Sequence, residues 1–255
     1  MNESLRRNND VDWDTFNAQT YRERYFTELG AEDLWVATET LAFLAEREVT
    51  ADTLERVADV GTGPSLVLPL AGVAYAKHVE LIEPGAQNAA YLRRVLQETQ
   101  DMYQDWNVIE QQIAADAHAL PAHAHAARLL MERAVVRQAK LGDLAPDTYD
   151  MVTSCFCAES ATGDVKECSD MIQTMLGSLK KDGIFAVGYI EHSQGYPDYT
   201  HEENGINPRK FPAVDIDKQW LERQFRGNNI TVSRCPYSQE MRDGYSGVLL
   251  AIGTK

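Results

Sequence analysis

The sequence predicts an α/β fold: a mostly parallel, seven-stranded sheet flanked by helices, with a helical segment ahead of it and an antiparallel hairpin at its end. Three observations carry this. From Arg56 onward, short apolar runs alternate with helical patterns, the order of parallel β-α-β units. The first run ends in Asp59 and leads into Gly61-Thr62-Gly63, with a second acid, Glu83, 20 residues beyond Gly63. Two apolar segments, NITVSRC (229–235) and YSGVLLAIG (245–253), close the chain with hairpin spacing and a long connection.

The elements follow in order. Residues 11–29 are aromatic-rich without strand alternation, which predicts helix. The next stretch, GAEDLWVATETLAFLAERE, places Leu34, Ala37, Leu41 and Leu44 on one helical face. Residues 1–50 therefore read as a helical N-terminal lid on a core spanning 55–255, the whole forming a single domain. Arg56–Asp59 is a buried strand, Ser65–Lys77 a helix, Val79–Ile82 a second strand and Asn88–Gln100 a helix. Residues 101–133 are helical with an interruption at Pro121. Val135–Val136 is a third strand, and YDMVTSCFCAES (149–160) a fourth running into a loop. Val165–Leu179 is a helix with Met171, Met175 and Leu179 along one side. KKDG then turns the chain into a fifth strand, 184–191. A loop rich in Gly, Pro, Tyr and Asn covers 192–213, and Asp215 caps a helix that runs through Gln224.

Composition narrows the partners. The 255 residues carry 24 Lys and Arg against 39 Asp and Glu, a formal net charge of −15. A surface this acidic repels phosphate backbones and anionic lipid, so neither nucleic acid nor membrane is expected as a partner. A neutral or cationic small molecule suits the field. MNESLRRNND lacks the apolar region of a secretory signal, and the longest apolar stretch, 66–76, is too short to span a bilayer. Cys155, Cys157, Cys168 and Cys235 lack zinc-ribbon spacing and read as buried thiols of a cytoplasmic protein. His118, His123 and His125 resemble a metal cluster, yet no Asp, Glu or Cys set completes a first shell at ligand spacing. They read as a solvated helix face, and no metal is expected. With no coiled coil and no large apolar stripe, a monomer is expected.

Three ligands compete for the glycines. A phosphate loop needs a Lys-Ser/Thr pair, whereas Ser65 follows Pro64 with no lysine nearby. A dinucleotide fingerprint wants a third glycine where Leu66 stands, and Asp59 would oppose its pyrophosphate. S-adenosyl-L-methionine has no phosphate and carries a cationic sulfonium and an ammonium. Asp59 would orient that ammonium, or instead cap the following helix. Gly61 and Gly63 would let backbone approach the ligand, and Glu83 would accept hydrogen bonds from the ribose hydroxyls. An antiparallel closing hairpin suits the class I, Rossmann-like methyltransferase sheet, with S-adenosyl-L-homocysteine as the spent cofactor.

Beyond the glycines, YDMVTSCFCAESATGD, LIEPGAQNAAYL and NAQTYRERYF resemble the small-molecule amine N-methyltransferases. That family includes the nicotinamide, phenylethanolamine and indolethylamine enzymes and many bacterial relatives. The resemblance covers nearly the whole chain. It implies that Tyr21 and Tyr25 close over the methionine end of the cofactor, although both also fit a helix core. It implies that Gly61, Thr62 and Gly63 line the cofactor, that Glu83 and Pro84 lie at the ribose, and that Asn88 bonds its carboxylate or ribose end. Glu159 stands where amine-methylating members place an acid near the substrate nitrogen, and Glu191 resembles a second such acid. The chain departs from the family at Val67, where relatives often carry tyrosine. It departs again at Ala139 and Lys140, where an acid usually reaches the adenine. Gly188 stands where the nicotinamide branch has its substrate aspartate, so nicotinamide is not expected as the acceptor.

The reaction implied is in-line methyl transfer to a nitrogen of a small amine or N-heterocycle. A carboxylate near that nitrogen can orient it, take its proton and stabilise the arriving charge. Glu159 and Glu191 follow buried strands, at the sheet edge where α/β folds bind ligands. Tyr189, Tyr196 and Tyr199 are expected to form an aromatic wall for a planar or cationic substrate. Two alternatives stay open: an oxygen, sulfur or carbon acceptor on the same fold, and a catalytically idle cofactor-binding or interaction protein.

Overall fold

The strands β1 (Leu54–Val60), β2 (Ala76–Ile82), β3 (Ala134–Arg137), β4 (Tyr149–Cys155), β5 (Leu179–Glu191), β6 (Asn229–Arg234) and β7 (Gly247–Thr254) form one sheet in a computed structural model describing residues 7–195, 213–237 and 245–255. Their order is β3-β2-β1-β4-β5-β7-β6. The first five run parallel, and β7 lies antiparallel between β5 and β6, which gives the expected closing hairpin. Strand order reverses between β1 and β4, so a crevice opens above their C-terminal ends.

Several strands are longer than the apolar runs suggest, because polar residues pair across them. Lys77 Nζ lies 2.8 Å from Glu55 Oε2, and Arg56 pairs with Glu80, extending β1 and β2 toward their N-termini. β5 begins at Leu179. The KKDG segment is a bulge within it, with Asp182 at φ +61° and the register against β4 shifting between Tyr149 and Met151.

The helices are α1 (Ala18–Tyr25), α2 (Ala31–Glu46), α3 (Val67–Gly72), α4 (Ala86–Gln97), α5 (Thr99–Ala114), α6 (Ala126–Arg133), α7 (Val165–Ser178) and α8 (Lys218–Gln224). The single helix expected over 65–77 stops at Gly72. A 3-10 turn, Val73–Tyr75, follows, and Ala76 already pairs with Leu54 of β1. Residues 11–29 hold a 3-10 turn, Trp13–Thr15, before α1, whose start is capped by Asn17 Oδ1 accepting from the Thr20 N–H at 3.0 Å. Pro121 opens a 3-10 turn, Pro121–His125, between α5 and α6. Asp217 rather than Asp215 caps α8, accepting from the Trp220 N–H at 2.6 Å, while Asp215 pairs with His192.

One sheet face packs Val57, Met151, Ile184 and Leu250 against Leu41, Leu70, Trp106 and Leu130 of α2, α3, α5 and α6. The other packs Val152, Phe185 and Tyr189 against Ile172, Leu176 and Leu221 of α7 and α8. His123 belongs to the first layer and corrects the solvated-face reading. It is fully buried, its Nδ1 accepts from the Leu120 N–H at 2.8 Å, and its Nε2 lies 2.8 Å from the Ala71 carbonyl. Nδ1 thus closes the turn before α6, and Nε2 ties that turn to α3. His118 and His125 are exposed, and no His/Cys/Asp/Glu group among the described residues could hold a metal. No helix among the described residues is long and apolar enough to cross a membrane.

Candidate active site

A cavity of about 1040 Å³, its mouth included, lies above the C-terminal ends of β1 and β4. Its floor is the turn after β1. Gly61 donates its N–H to the Ile82 carbonyl at 2.8 Å, and Gly61 and Gly63 adopt φ +65° and +56°. The two glycines are needed for different reasons. A Cβ on Gly61 would fall 2.1 Å from Cys157 Sγ, whereas one on Gly63 would meet nothing closer than 3.9 Å. Gly63 is thus required by its backbone conformation alone, Gly61 by conformation and by contact.

Glu83, at the end of β2, sits on the cavity wall. It is 4% exposed, and its two oxygens accept from Gly63 N–H (2.8 Å), Gly85 N–H (2.8 Å) and Asn88 Nδ2 (3.3 Å). Burial raises its pKa, and the three donors pull the other way. Asn88 Oδ1 is buried with no hydrogen-bond partner among the described residues. A buried acceptor left open on a ligand wall asks for a donor from the ligand, and a ribose hydroxyl or an ammonium supplies one. The residues present therefore fit S-adenosylmethionine at this end.

The N-terminal segment closes one side. Asn8, Trp13, Phe16, Tyr21 and Phe26 all line the cavity. The segment is strapped down at several places: Asp14 Oδ1 accepts from the Ala86 N–H at 2.6 Å, Asn8 N–H donates to Glu167 Oε2 at 3.1 Å, and Lys140 Nζ reaches Asn9 Oδ1 at 2.8 Å. Asp14 caps α4, whose own N-cap residue, Gly85, has no side chain for the task. The rings of Phe16 and Tyr21 lie 5.2 Å apart and those of Tyr21 and Tyr25 4.7 Å apart. Only the first of those two tyrosines is on the wall; Tyr25 is buried in the core beneath it.

Thr62, Pro84 and Asn88 line the cavity together with Gly61, Gly63 and Glu83. Asp59 does not. It is 4% exposed behind the glycine turn, where Oδ1 accepts from Thr153 Oγ1 at 2.6 Å and the main-chain oxygen accepts from Thr62 Oγ1 at 3.0 Å. Burial pushes its carboxyl up to about 7. Its geometry is that of a residue holding the turn in place.

The expected acceptor-side residues are corrected more sharply. Glu159 is fully buried and is absent from the wall. Its Oε1 accepts from the Ile190 N–H at 3.0 Å and its main-chain oxygen from Val214 at 2.8 Å, so it ties three segments together. Glu191 is also off the wall, held by Arg234 Nε at 2.6 Å and Ser246 Oγ at 3.2 Å. Tyr189 shares its sheet face with Phe185 and Val187 and packs in the layer of α7 and α8, off the cavity wall. Tyr196 and Tyr199 lie outside the described residues.

The wall near β4 and β5 is built instead from Cys155, Phe156, Cys157, Ser160 and Ile190, with Asp33 from the first turn of α2. Phe156 takes φ +56°, a strained conformation for a side-chain-bearing residue, and its N–H donates to Gly188 at 2.9 Å. This bend brings Cys155, Phe156 and Cys157 all to the cavity. Gly188 leaves room for them, since a Cβ there would stand 2.9 Å from Cys155 Sγ. Ala139 and Leu141 line the cavity where an adenine-binding acid was looked for; Asp143 closes its own turn through the Lys140 N–H at 3.0 Å. All four cysteines are free, and burial raises the thiol of Cys157.

Known structures share this fold. A structure of a methyltransferase from Methanosarcina mazei superposes with a TM-score of 0.55 at 13% identity, covering 83% of this chain and 96% of that one. The N-methyltransferase NodS from Bradyrhizobium japonicum with S-adenosylhomocysteine gives 0.51 at 10%, covering 94% and 98%. The 1,6-didemethyltoxoflavin-N1-methyltransferase of Burkholderia thailandensis gives 0.50 at 12%, covering 93% and 83%. At such identities these likenesses establish the class I fold. No curated protein is a significant match to the chain. The family model for the NNMT/PNMT/TEMT family matches residues 7–254. The chain belongs to that family and is an S-adenosylmethionine-dependent methyltransferase.

Proposed function

We propose that this enzyme methylates a nitrogen of a small amine or N-heterocycle, neutral or cationic, and that it acts as a monomer. The observation that supports the acceptor is the charge of the cavity. Its wall carries two carboxylates, Asp33 and Glu83, and no Lys, Arg or His among the described residues, beside the rings of Phe16, Tyr21, Phe26 and Phe156. Such a site disfavours anions and suits a sulfonium donor together with an amine. The four free cysteines suit a reducing, cytoplasmic setting.

The cofactor supplies an electrophilic methyl group on sulfur. The chain's own residues bind, orient and shield. Glu83 and Asn88 hold the ribose end, the turn at 61–63 lets the ligand lie against backbone, and Tyr21 covers the methionine end. The strapped N-terminal segment excludes water, and alignment of the two reacting centres supplies most of the acceleration. Asp59, Glu159 and Glu191 hold the surrounding elements in place.

The test is transfer of labelled methyl from S-adenosylmethionine to matched panels of small amines, alcohols and thiols. Turnover with at least one amine, exceeding its oxygen and sulfur isosteres, is expected. Turnover confined to alcohols or thiols overturns the nitrogen assignment. Binding of S-adenosylhomocysteine with no transfer to any member would point to the idle reading.

A further inference from the structure

We infer that the Ser160 hydroxyl receives the acceptor's nitrogen by accepting its N–H, so that the enzyme favours primary and secondary amines; this deepens the reading just proposed and rests on it. Among the described residues, the cavity wall carries two buried polar atoms without a hydrogen-bond partner, Asn88 Oδ1 and Ser160 Oγ. Asn88 stands beside Glu83 at the ribose end. Ser160 stands in the turn after β4, 4% exposed, with its own N–H donated to the Cys157 carbonyl at 3.2 Å. Its hydroxyl is what the fold leaves over. A buried hydroxyl without a partner is costly, and a hydrogen-bonding ligand in the cavity removes that cost.

The sheet order puts this hydroxyl on the acceptor side. Glu83 ends β2, the glycine turn follows β1 and Ser160 follows β4, in the spatial order β2-β1-β4. β2 and β4 are two strand spacings apart, roughly 10 Å. A cofactor held at Glu83 and along the turn at 61–63 leaves the wall after β4 to the acceptor. The turn carrying Ser160 starts beside the glycines, since Cys157 Sγ lies 2.1 Å from where a Cβ on Gly61 would stand. It is also anchored. Glu159 Oε1 accepts from the Ile190 N–H at 3.0 Å, and the Glu159 carbonyl accepts from the Val214 N–H at 2.8 Å. The hydroxyl is therefore positioned before the acceptor arrives. A neutral amine or N–H heterocycle that donates to Oγ keeps its lone pair free for the methyl. A fully substituted nitrogen has no hydrogen to give.

The experiment uses the full chain saturated with S-adenosylhomocysteine and titrated calorimetrically, near neutral pH, with benzylamine and with benzyltrimethylammonium. Both are cations there, and only benzylamine has N–H groups. Ser160→Ala should weaken benzylamine by about fivefold or more, while benzyltrimethylammonium and S-adenosylhomocysteine stay within about twofold. The ligand-free variant should keep its unfolding midpoint or raise it, because the hydroxyl it loses has no partner in the fold. Unchanged benzylamine affinity overturns the inference, as does an equal loss for both cations. Weaker S-adenosylhomocysteine binding would assign Ser160 to the cofactor, and a lowered midpoint would assign it to the fold; either result overturns the inference. So does an unaltered protein that binds no benzylamine. Failure of the broader reading looks different: Ser160 would govern benzylamine binding while no labelled methyl reached any amine.

Discussion

The carboxylate of Glu83 accepts the N–H of Gly63 at 2.8 Å, joining the end of β2 to the turn after β1. One side chain therefore sets the shape of the glycine turn and presents an oxygen to the ligand. Glu83→Gln should weaken S-adenosylhomocysteine binding by about 1–3 kcal/mol, the cost of disturbing a buried hydrogen-bond set. Calorimetric titration measures it, and a change of less than twofold would place the ribose elsewhere.

The two glycines of the turn should separate in a stability measurement. Gly63→Ala meets only the left-handed backbone penalty, about 1–2 kcal/mol. Gly61→Ala adds a collision with Cys157, whose Sγ and Cβ would lie 2.1 and 2.7 Å from the new carbon. Chemical unfolding should show Gly61→Ala as clearly the more destabilised. Equal losses would mean that Cys157 yields freely.

Asp59 gives a pH test. Its folded pKa, about 7, lies above the ordinary 3.8, so the folded state holds this proton more tightly than the unfolded one. The associated stability is present in full below about pH 4 and is lost as pH rises through about 7. Asp59→Asn removes the titration and keeps an acceptor for Thr153. The variant should match the unaltered protein near pH 4 and exceed it in thermal stability by pH 8, by a margin on the order of 4 kcal/mol. A gap that is constant with pH would show that Asp59 is ionised throughout.

Glu191 and Arg234 are 43 residues apart in sequence and meet across β7. Removing either partner alone should cost about 1–3 kcal/mol, and the double replacement should cost less than the sum. S-adenosylhomocysteine affinity should not follow. If Glu191→Ala abolished turnover while leaving unfolding unchanged, Glu191 would return to the acceptor site.

Asp14 caps α4 from the N-terminal strap. Asp14→Ala should cost about 0.5–2 kcal/mol at that cap. Hydrogen exchange should show the loss as faster labelling of the Ala86 amide and of the strap itself.

What was legible in the sequence is what local chemistry enforces. Gly61, Gly63 and Glu83 were readable because a turn with positive φ after a buried strand needs glycine, and because the acid ending the next strand falls beside it. The sheet and its hairpin followed from apolar runs, whereas strand ends paired through Lys77–Glu55 and Arg56–Glu80 left no apolar trace. The acceptor wall was not legible. Tyr189 stands near a strand end but packs with Phe185 in the layer under α7 and α8, off the wall. Glu159 and Glu191 stand at strand ends, as ligand-binding acids do, yet Ile190, Val214 and Arg234 claim them. Phe26 and Trp13 reach the site because the N-terminal strap folds back over it, and Asp33 because the first turn of α2 abuts it, arrangements that no local pattern encodes.

The strap that carries Asn8, Trp13, Phe16, Tyr21 and Phe26 walls one side of the cavity, and its contacts to Ala86, Glu167 and Lys140 hold that wall in place. A ligand seated there owes part of its shielding to contacts made outside the cavity.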